Sequence, residues 1–168
     1  MKKKLIWILG AAVIAGVLLQ FTNPARTNPP ITPGHDLFAT NGPPPEIAAL
    51  LRNACYDCHS YKTKWPWYSR VAPVSWWLAN HVSDARKHLN FSEWPHDDPY
   101  QARKKWNRIG DEVDSGDMPL PSYTWIHTGA RLSAAQRAQL IQWAATQGSV
   151  PTIDTSPLPT GQQPQRGQ

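Results

Sequence analysis

Two cysteines and one histidine stand close enough together in this chain to act on a single cofactor. Cys55 and Cys58 are the two cysteines of the sequence, and His59 directly follows the second. In this C-x-x-C-H spacing the two thiols can add across the two vinyl groups of one haem, while the neighbouring imidazole binds its iron. The spacing therefore predicts one haem c, bound covalently through two thioether bonds.

Other kinds of site also use closely spaced cysteines. A thioredoxin-like dithiol normally opens a helix after a strand, whereas Cys55 lies at the end of a predicted helix. A structural disulfide between Cys55 and Cys58 would close a very small loop and leave His59 unexplained. A zinc site would need two further ligands, and the remaining histidines lack zinc-finger spacing. Haem attachment is the interpretation that uses all three residues.

A second axial ligand is expected from a segment that faces His59 across the porphyrin. Met118 lies in a loop between Gly116, which allows close backbone approach, and Pro119, which stiffens the chain. We predict Met118 as this ligand, and its thioether would raise the reduction potential relative to a second histidine. His81 is the alternative, because it lies on a predicted helix near its apolar face and would give bis-histidine iron.

Basic and aromatic residues alternate in the segment that follows the motif. We expect Trp67, Tyr68 and Arg70 to donate hydrogen bonds to the anionic haem propionates, although ordinary aromatic packing fits the same composition. Such alternation also occurs in proteins that bind single-stranded nucleic acid. However, three units of the net charge of +5 come from the lysines at positions 2–4, which leaves no basic stripe. No nucleic-acid partner is expected.

The two ends of the chain differ in composition from its middle. Residues 5–21 are uncharged and apolar except for Gln20, and with the preceding lysines they predict a membrane helix whose N-terminus is cytoplasmic. An uncleaved anchor over 1–21 is favoured over a signal sequence, since no small-x-small cleavage site follows; either way the remainder is exported. Residues 22–42, rich in proline, predict an extended tether, and 149–168 predict a disordered Pro- and Gln-rich tail.

Residues 43–148 are expected to form one all-α domain. Apolar residues recur at helical spacing in four segments, which are bounded by proline, by N-cap residues or by glycine. The two long connections, 59–72 and 116–131, are expected to hold the two sides of the cofactor site. The predicted helices run from Pro45 to Cys55, from Pro73 to Asn90, from Asp97 or Asp98 to Gly116, and from Ser133 to Gly148.

Several stretches of this middle region resemble a known family. They are Asn53-Ala54-Cys55-Tyr56-Asp57-Cys58-His59-Ser60, Pro66-Trp67-Tyr68, Ala72-Pro73-Val74-Ser75-Trp76-Trp77, Leu89-Asn90-Phe91-Ser92-Glu93-Trp94, Met118-Pro119, Tyr123, His127 and Leu132-Ser133. The chain is similar in them to bacterial haem-binding-domain proteins, which are related to class I c-type cytochromes. The resemblance implies a small cytochrome c-like helical domain around one haem, often anchored outside the cytoplasmic membrane. It also supports Cys55, Cys58, His59 and Met118 as the haem-binding residues.

Three functions are compatible with these residues. The first is one-electron transfer between redox partner proteins of the periplasm or inner membrane, with His59 and Met118 closing both axial positions and no substrate bound. The alternative is a haem-based sensor or a peroxidase-like module with an open or labile sixth position, where His81 or His127 could act as a distal acid or base. The third is a haem-bearing interaction module within a larger oxidase or peroxidase complex. The first expectation makes the protein an electron carrier rather than an enzyme.

Overall fold

Helices make up all of the regular secondary structure in residues 2–95 and 97–149, the part of the chain that the computed structural model describes. The prediction of an all-α fold is confirmed. The predicted disordered tail lies outside the described residues, apart from Ser149. The α-helices are α1 Lys2–Leu19, α2 Leu37–Asn41, α3 Pro45–Ala54, α4 Tyr56–His59, α5 Val74–His88, α6 Pro99–Ser115, α7 Pro121–Ile126 and α8 Ala134–Gly148, with 3₁₀ turns at Gln20–Thr22, Trp67–Arg70, Phe91–Glu93 and Thr128–Ala130.

Local capping signals set the ends of the longer helices. The Asp98 side chain accepts a hydrogen bond from the backbone N–H of Gln101 and so caps the start of α6. Gly116 ends this helix with φ of 83°, a left-handed conformation that glycine adopts without steric cost. At the start of α8, Ser133 and Gln136 each accept from the other's backbone N–H, which is the predicted capping box.

The core forms where α3, α6 and α8 pack together with the segment around Trp94. The indole rings of Trp94 and Trp106 lie 4.4 Å apart between centroids, and Trp143 meets Trp106 edge to face at 4.7 Å. Leu51 and Leu140 are fully buried beside them. Burial of each such side chain contributes about 1.5–3 kcal/mol to folding, so this cluster fixes α6 relative to α3.

Part of the segment predicted as an extended tether belongs to the domain. Leu37 is 0 % exposed within the core, and the short helix α2 begins with it. The ring of Phe38 stacks on Tyr56 at 4.7 Å, and Asp36 pairs with the Lys62 ammonium at 2.9 Å. The proline and glycine around these few apolar residues led to the prediction of a tether. Their place in the core depends on contacts with residues far along the chain, which the local composition does not show.

The N-terminal helix stands apart from this core. Residues Lys2–Thr22 have a mean hydropathy of 2.2 and none of them is buried. The helix is long and apolar enough to cross a membrane.

Candidate haem-binding site

A cavity of about 430 Å³ lies between the attachment turn, which we define as Cys55 to His59, and the C-terminal half of α6. Its lining is mainly apolar and includes residues of α5 and of the segment 118–123. Cavities of a few hundred Å³ with apolar walls and a few polar groups are typical of cofactor sites. The cavity brings Cys55, Cys58, His59 and Met118 together, whereas the connection 59–72 contributes no lining residue beyond His59.

The attachment turn is a short helix that restarts directly after α3. Cys55 interrupts α3 with φ of −125°, and the backbone N–H groups of Cys58 and His59 then donate to its carbonyl at 3.2 and 2.9 Å. Residues three and four positions apart share one side of a helical turn. Both thiols and the imidazole therefore line the same cavity, and neither cysteine is in a disulfide.

The environment of the thiols differs from that of a redox-active dithiol. Burial raises the pKa of Cys55 to about 12, with a further contribution from Cys58. Burial likewise raises the pKa of Cys58 to about 11, reinforced by the negative charge of Asp57. A thioredoxin-like dithiol requires a lowered pKa, so that a thiolate is present at neutral pH. These two thiols are protonated at neutral pH, which disfavours the dithiol interpretation.

His59 is oriented by two backbone carbonyl groups of the neighbouring helix. Its Nδ1 lies 3.2 Å from the carbonyl oxygen of Ala85 and 3.1 Å from that of Leu89. Carbonyl oxygens only accept hydrogen bonds, so Nδ1 carries the proton and Nε2 keeps the lone pair that a metal requires. Burial lowers the pKa of His59, against the opposing effect of the two carbonyls, and thereby favours the neutral imidazole.

Met118 enters the cavity from a loop that two other elements hold in place. Its backbone N–H donates to the carbonyl of Glu112 at 3.0 Å. The Arg137 guanidinium, from α8, donates to the carbonyl of Val113 at 2.8 Å and to that of Met118 at 3.4 Å. The sequence did not predict this role of Arg137, because backbone carbonyl groups occur at every residue and leave no pattern in the sequence.

His81, the alternative ligand, also lines the cavity. Its Nδ1 lies 2.8 Å from the carbonyl oxygen of Trp77, one turn earlier in α5, and its ring lies 4.1 Å from the Trp77 ring. Nδ1 is therefore the protonated nitrogen here as well. One turn later in the same helix comes Ala85, whose carbonyl contacts His59. His81 and His59 thus share the α5 side of the cavity.

Trp67, Tyr68 and Arg70 do not line this cavity. Trp67 is 78 % exposed and Arg70 is also exposed. The Tyr68 hydroxyl donates to Nε2 of His127 at 3.4 Å, outside the cavity wall. Among the described residues, the lysine and arginine side chains that do line it are Lys105 and Arg108, both of α6.

Helix periodicity gave a partial signal for Lys105 alone. It lies four positions before Ile109, on the predicted apolar face of α6, but nothing in the sequence shows that this face borders a cavity. The Lys105 ammonium donates to the carbonyl of His88 at 3.0 Å, and Arg108 reaches Glu112 at 3.4 Å. Burial lowers the pKa of Lys105. These side chains place positive charge in the wall of the cavity, whose lining also includes the carboxylates of Asp84 and Glu112.

Asp57, inside the attachment turn, connects it to the segment after Met118. The Tyr123 hydroxyl donates to Oδ2 of Asp57 at 2.7 Å, and the backbone N–H of Lys64 donates to Oδ1 at 3.2 Å. Burial, followed by this hydrogen bond, raises the pKa of Tyr123, so the phenol stays protonated as a donor. Tyr123 also lines the cavity and stacks on His127 at 4.1 Å between ring centroids. The link therefore holds the two sides of the cavity at one edge.

The donor set suits a porphyrin better than a bare metal ion. Within residues 2–95 and 97–149, no three His, Cys, Asp or Glu side chains come together to hold a metal. A zinc site of the kind considered above needs four ligands. A porphyrin supplies four nitrogen ligands itself, so that His59 and one further axial group complete the coordination of iron. The apolar cavity, the oriented imidazole and the paired thiols fit a haem.

Comparison with known proteins agrees with this fit. A family model described as a haem-binding domain matches residues 14–146, which include all of the residues that line the cavity. No curated protein and no solved structure matches the chain. The family match covers most of the sequence and confirms the predicted family. The chain therefore belongs to the haem-binding domain family.

Proposed function

We propose that this protein is a membrane-anchored, periplasmic c-type cytochrome that carries one haem and transfers electrons one at a time between redox partners. The haem domain, predicted over residues 43–148, would also include α2 and would fold around the haem in a cytochrome c-like manner. Residues 1–21 would anchor it with the N-terminus in the cytoplasm. One observation carries the proposal: both thiols and a metal-competent imidazole lie on one turn at the wall of one cavity.

Covalent attachment requires nothing from the protein beyond these two thiols. In each thioether bond the S–H of Cys55 or Cys58 adds across one vinyl group, with sulfur on one carbon and hydrogen on the other. No oxidant is consumed and no group leaves. A haem held in this way supplies reversible one-electron chemistry at iron.

We propose His59 and Met118 as the axial ligands. The two residues come from different parts of the cavity lining and would hold the iron of a haem bound between them. His81 lies on the α5 side with His59, which favours Met118 as the second ligand. With both axial positions closed by protein, the iron would change oxidation state without binding a substrate, as an electron carrier requires.

The anionic propionates of the haem need cationic or hydrogen-bonding partners. The sequence predicted Trp67, Tyr68 and Arg70 for this role, and that assignment stays a prediction. Because Lys105 and Arg108 line the cavity, we propose that these two residues hold the propionates, through charge-assisted hydrogen bonds.

Covalent haem attachment can be tested on the denatured protein. The full chain should be expressed in cells that attach haem c, then denatured and extracted with acidified acetone. We expect the polypeptide to stay coloured and to exceed the mass of the bare chain by one haem. The variant Cys55→Ala with Cys58→Ala should be colourless after the same extraction. A colourless wild-type chain with the bare mass would overturn the proposal.

A haem-based sensor or peroxidase-like module is the second candidate. It is favoured by the position of Met118 in a loop, from which a thioether is displaced more easily than the His59 imidazole that two carbonyls hold. Such a module would need an open sixth position and a distal acid or base. A ferric spectrum that is low-spin, with a sulfur-to-iron charge-transfer band, supports the carrier. A high-spin spectrum that shifts with cyanide supports the second candidate.

A further inference from the structure

The end of α1 is bonded directly to the domain that contains the cavity. The Gln20 side chain accepts from the backbone N–H of Ala72 at 3.0 Å and donates to its carbonyl at 3.4 Å. The indole N–H of Trp76 donates to the carbonyl of Thr22 at 2.9 Å. Gln20 also donates to the carbonyl of Gly16 within α1. The last turn of the apolar helix is therefore joined to the start of α5.

The residues after α1 run along α5 and form hydrogen bonds with it. The Arg86 guanidinium donates to the carbonyl of Thr27 at 3.0 Å and to Oδ1 of Asn28 at 2.9 Å. From Trp76 to Arg86 the helix rises ~15 Å. The chain from Thr22 to Thr27 spans at most ~17 Å when fully extended. Both ends of this part of the tether are bonded to α5, so it lies along the domain rather than separating it from α1.

A second set of hydrogen bonds ties the same segment to the loop after the attachment turn. The Arg26 guanidinium donates to the carbonyl of Ser69 at 3.2 Å, and the Asn28 amide donates to that of Thr63 at 2.9 Å. The domain is consequently held close to the end of α1 by contacts along the whole of residues 20–28.

Apolar side chains are exposed around this junction. We name Trp67, Val71, Val74 and Trp77 the apolar rim; they are 78, 42, 42 and 45 % exposed. Val71 and Val74 flank the Ala72–Pro73 pair in sequence, next to the residue that Gln20 holds. Tryptophan is enriched where proteins meet the membrane–water interface, since its ring is apolar and its N–H is polar.

We propose that the apolar rim contacts the lipid headgroup region of the membrane that α1 crosses, and that Gln20 fixes the domain in this orientation. The inference rests on the proposed anchoring by α1 and adds a lipid surface as the partner of the domain itself. Continuity with α1 identifies the occupant, because a domain bonded to the last turn of a membrane helix lies at the bilayer surface. The exposed Arg70 beside Val71 suits anionic headgroups.

This orientation places the haem cavity close to the bilayer. The ring of Trp77, in the apolar rim, contacts that of His81, which lines the cavity one turn further along α5. One helical turn rises ~5.4 Å. The α5 edge of the cavity would thus lie about one turn from the headgroups, within reach of a redox partner embedded in the membrane.

Photolabelling from within the bilayer tests the contact. The haem-loaded full chain is placed in phosphatidylcholine and phosphatidylglycerol vesicles that contain a phospholipid with a diazirine near its glycerol, illuminated, and mapped by mass spectrometry. We expect label in α1 and in the tryptic peptide 71–86, and none in α8. Label in α1 without label in 71–86 would overturn the inference and leave the anchor intact. An unlabelled α1 would overturn both.

A substitution at Gln20 tests how the orientation is fixed. Gln20→Leu keeps α1 apolar but removes both hydrogen bonds to Ala72, so peptide 71–86 should lose label while α1 retains it. Gln139→Leu, the same change at an exposed position of α8, should leave both labels unchanged. Undiminished labelling of 71–86 in Gln20→Leu would show that Gln20 does not hold the rim against the membrane.

Discussion

The two sides of the haem cavity are built in different ways. On the α5 side, His59 lies on a turn that is continuous with the two cysteines, and two carbonyl groups of one helix hold its ring. On the other side, Met118 lies in a loop whose position depends on Arg137 and on the end of α6. On the first side the hydrogen bonds reach the imidazole ring itself, from carbonyls 26 and 30 residues away, whereas on the second side they hold the backbone of the loop that carries the thioether. The second axial position is therefore the more easily altered of the two.

Removal of the imidazole on the α5 side should have the largest effect. In His59→Ala the iron would lose its nitrogen ligand, and the carbonyls of Ala85 and Leu89 would lose a buried donor, at about 1–3 kcal/mol. We expect a high-spin spectrum and a lower yield of folded haem protein, measured by absorption and thermal unfolding. His88→Ala is the matched control, because His88 lines the cavity from an exposed position of α5. Equal effects of the two changes would contradict the assignment of His59.

Removal of the thioether should leave haem attachment intact while opening the other side. Met118→Ala is expected to keep the covalent haem, lose the sulfur-to-iron band, bind carbon monoxide in the ferrous state, and have a lower reduction potential. Potentiometric titration and absorption spectroscopy measure these changes. Unchanged axial coordination in Met118→Ala would falsify the assignment of Met118. The double variant Met118→Ala with His81→Ala would then show whether the His81 imidazole is the second ligand to iron.

The separation along the chain between contacting residues explains what the sequence could predict. The capping box of Ser133 and Gln136 and the Asp98 cap involve residues within three positions of each other, so sequence patterns were enough to predict them. The residues of the attachment turn are consecutive in the sequence, so their motif could be predicted in the same way. Leu37 differs, because its place in the core depends on residues far along the chain.

The proposed propionate partners, Lys105 and Arg108, show what sequence patterns could not predict. Basic residues next to aromatic or apolar ones occur both at Trp67 to Arg70 and on α6 around Lys105. Composition cannot separate these two segments, since only the packing of α6 beside the attachment turn decides which one faces the cavity. The tertiary arrangement, not the residue type, distinguishes them.

A smaller effect is expected where Arg137 supports the Met118 loop. Arg137→Met keeps most of the side-chain volume but removes the hydrogen bonds to the carbonyls of Val113 and Met118, at about 1.5–3 kcal/mol for a charged donor. The covalent haem should remain, while carbon monoxide should bind the ferrous iron faster than in the wild type, as measured by stopped flow. Lys104→Met, at an exposed position of α6, is the control. Wild-type binding kinetics in Arg137→Met would contradict a positioning role.

The smallest effect is expected at the hydrogen bond that joins the two sides of the cavity. Tyr123→Phe removes the hydroxyl that donates to Oδ2 of Asp57. The backbone N–H of Lys64 still donates to Oδ1, so the carboxylate loses only one of these two hydrogen bonds. We expect the free energy of unfolding of the haem protein to fall by about 1–2 kcal/mol, measured by denaturant titration, with the axial ligands unchanged.

Tyr100→Phe is the control. This tyrosine is 62 % exposed, so its substitution should change the free energy of unfolding by no more than about 0.5 kcal/mol. Because the link lies at one edge of the cavity and contacts neither proposed ligand, a change in the sulfur-to-iron band in Tyr123→Phe would mean that the two sides are coupled through Asp57. An unfolding free energy equal to that of Tyr100→Phe would mean that each side is held independently of this bond.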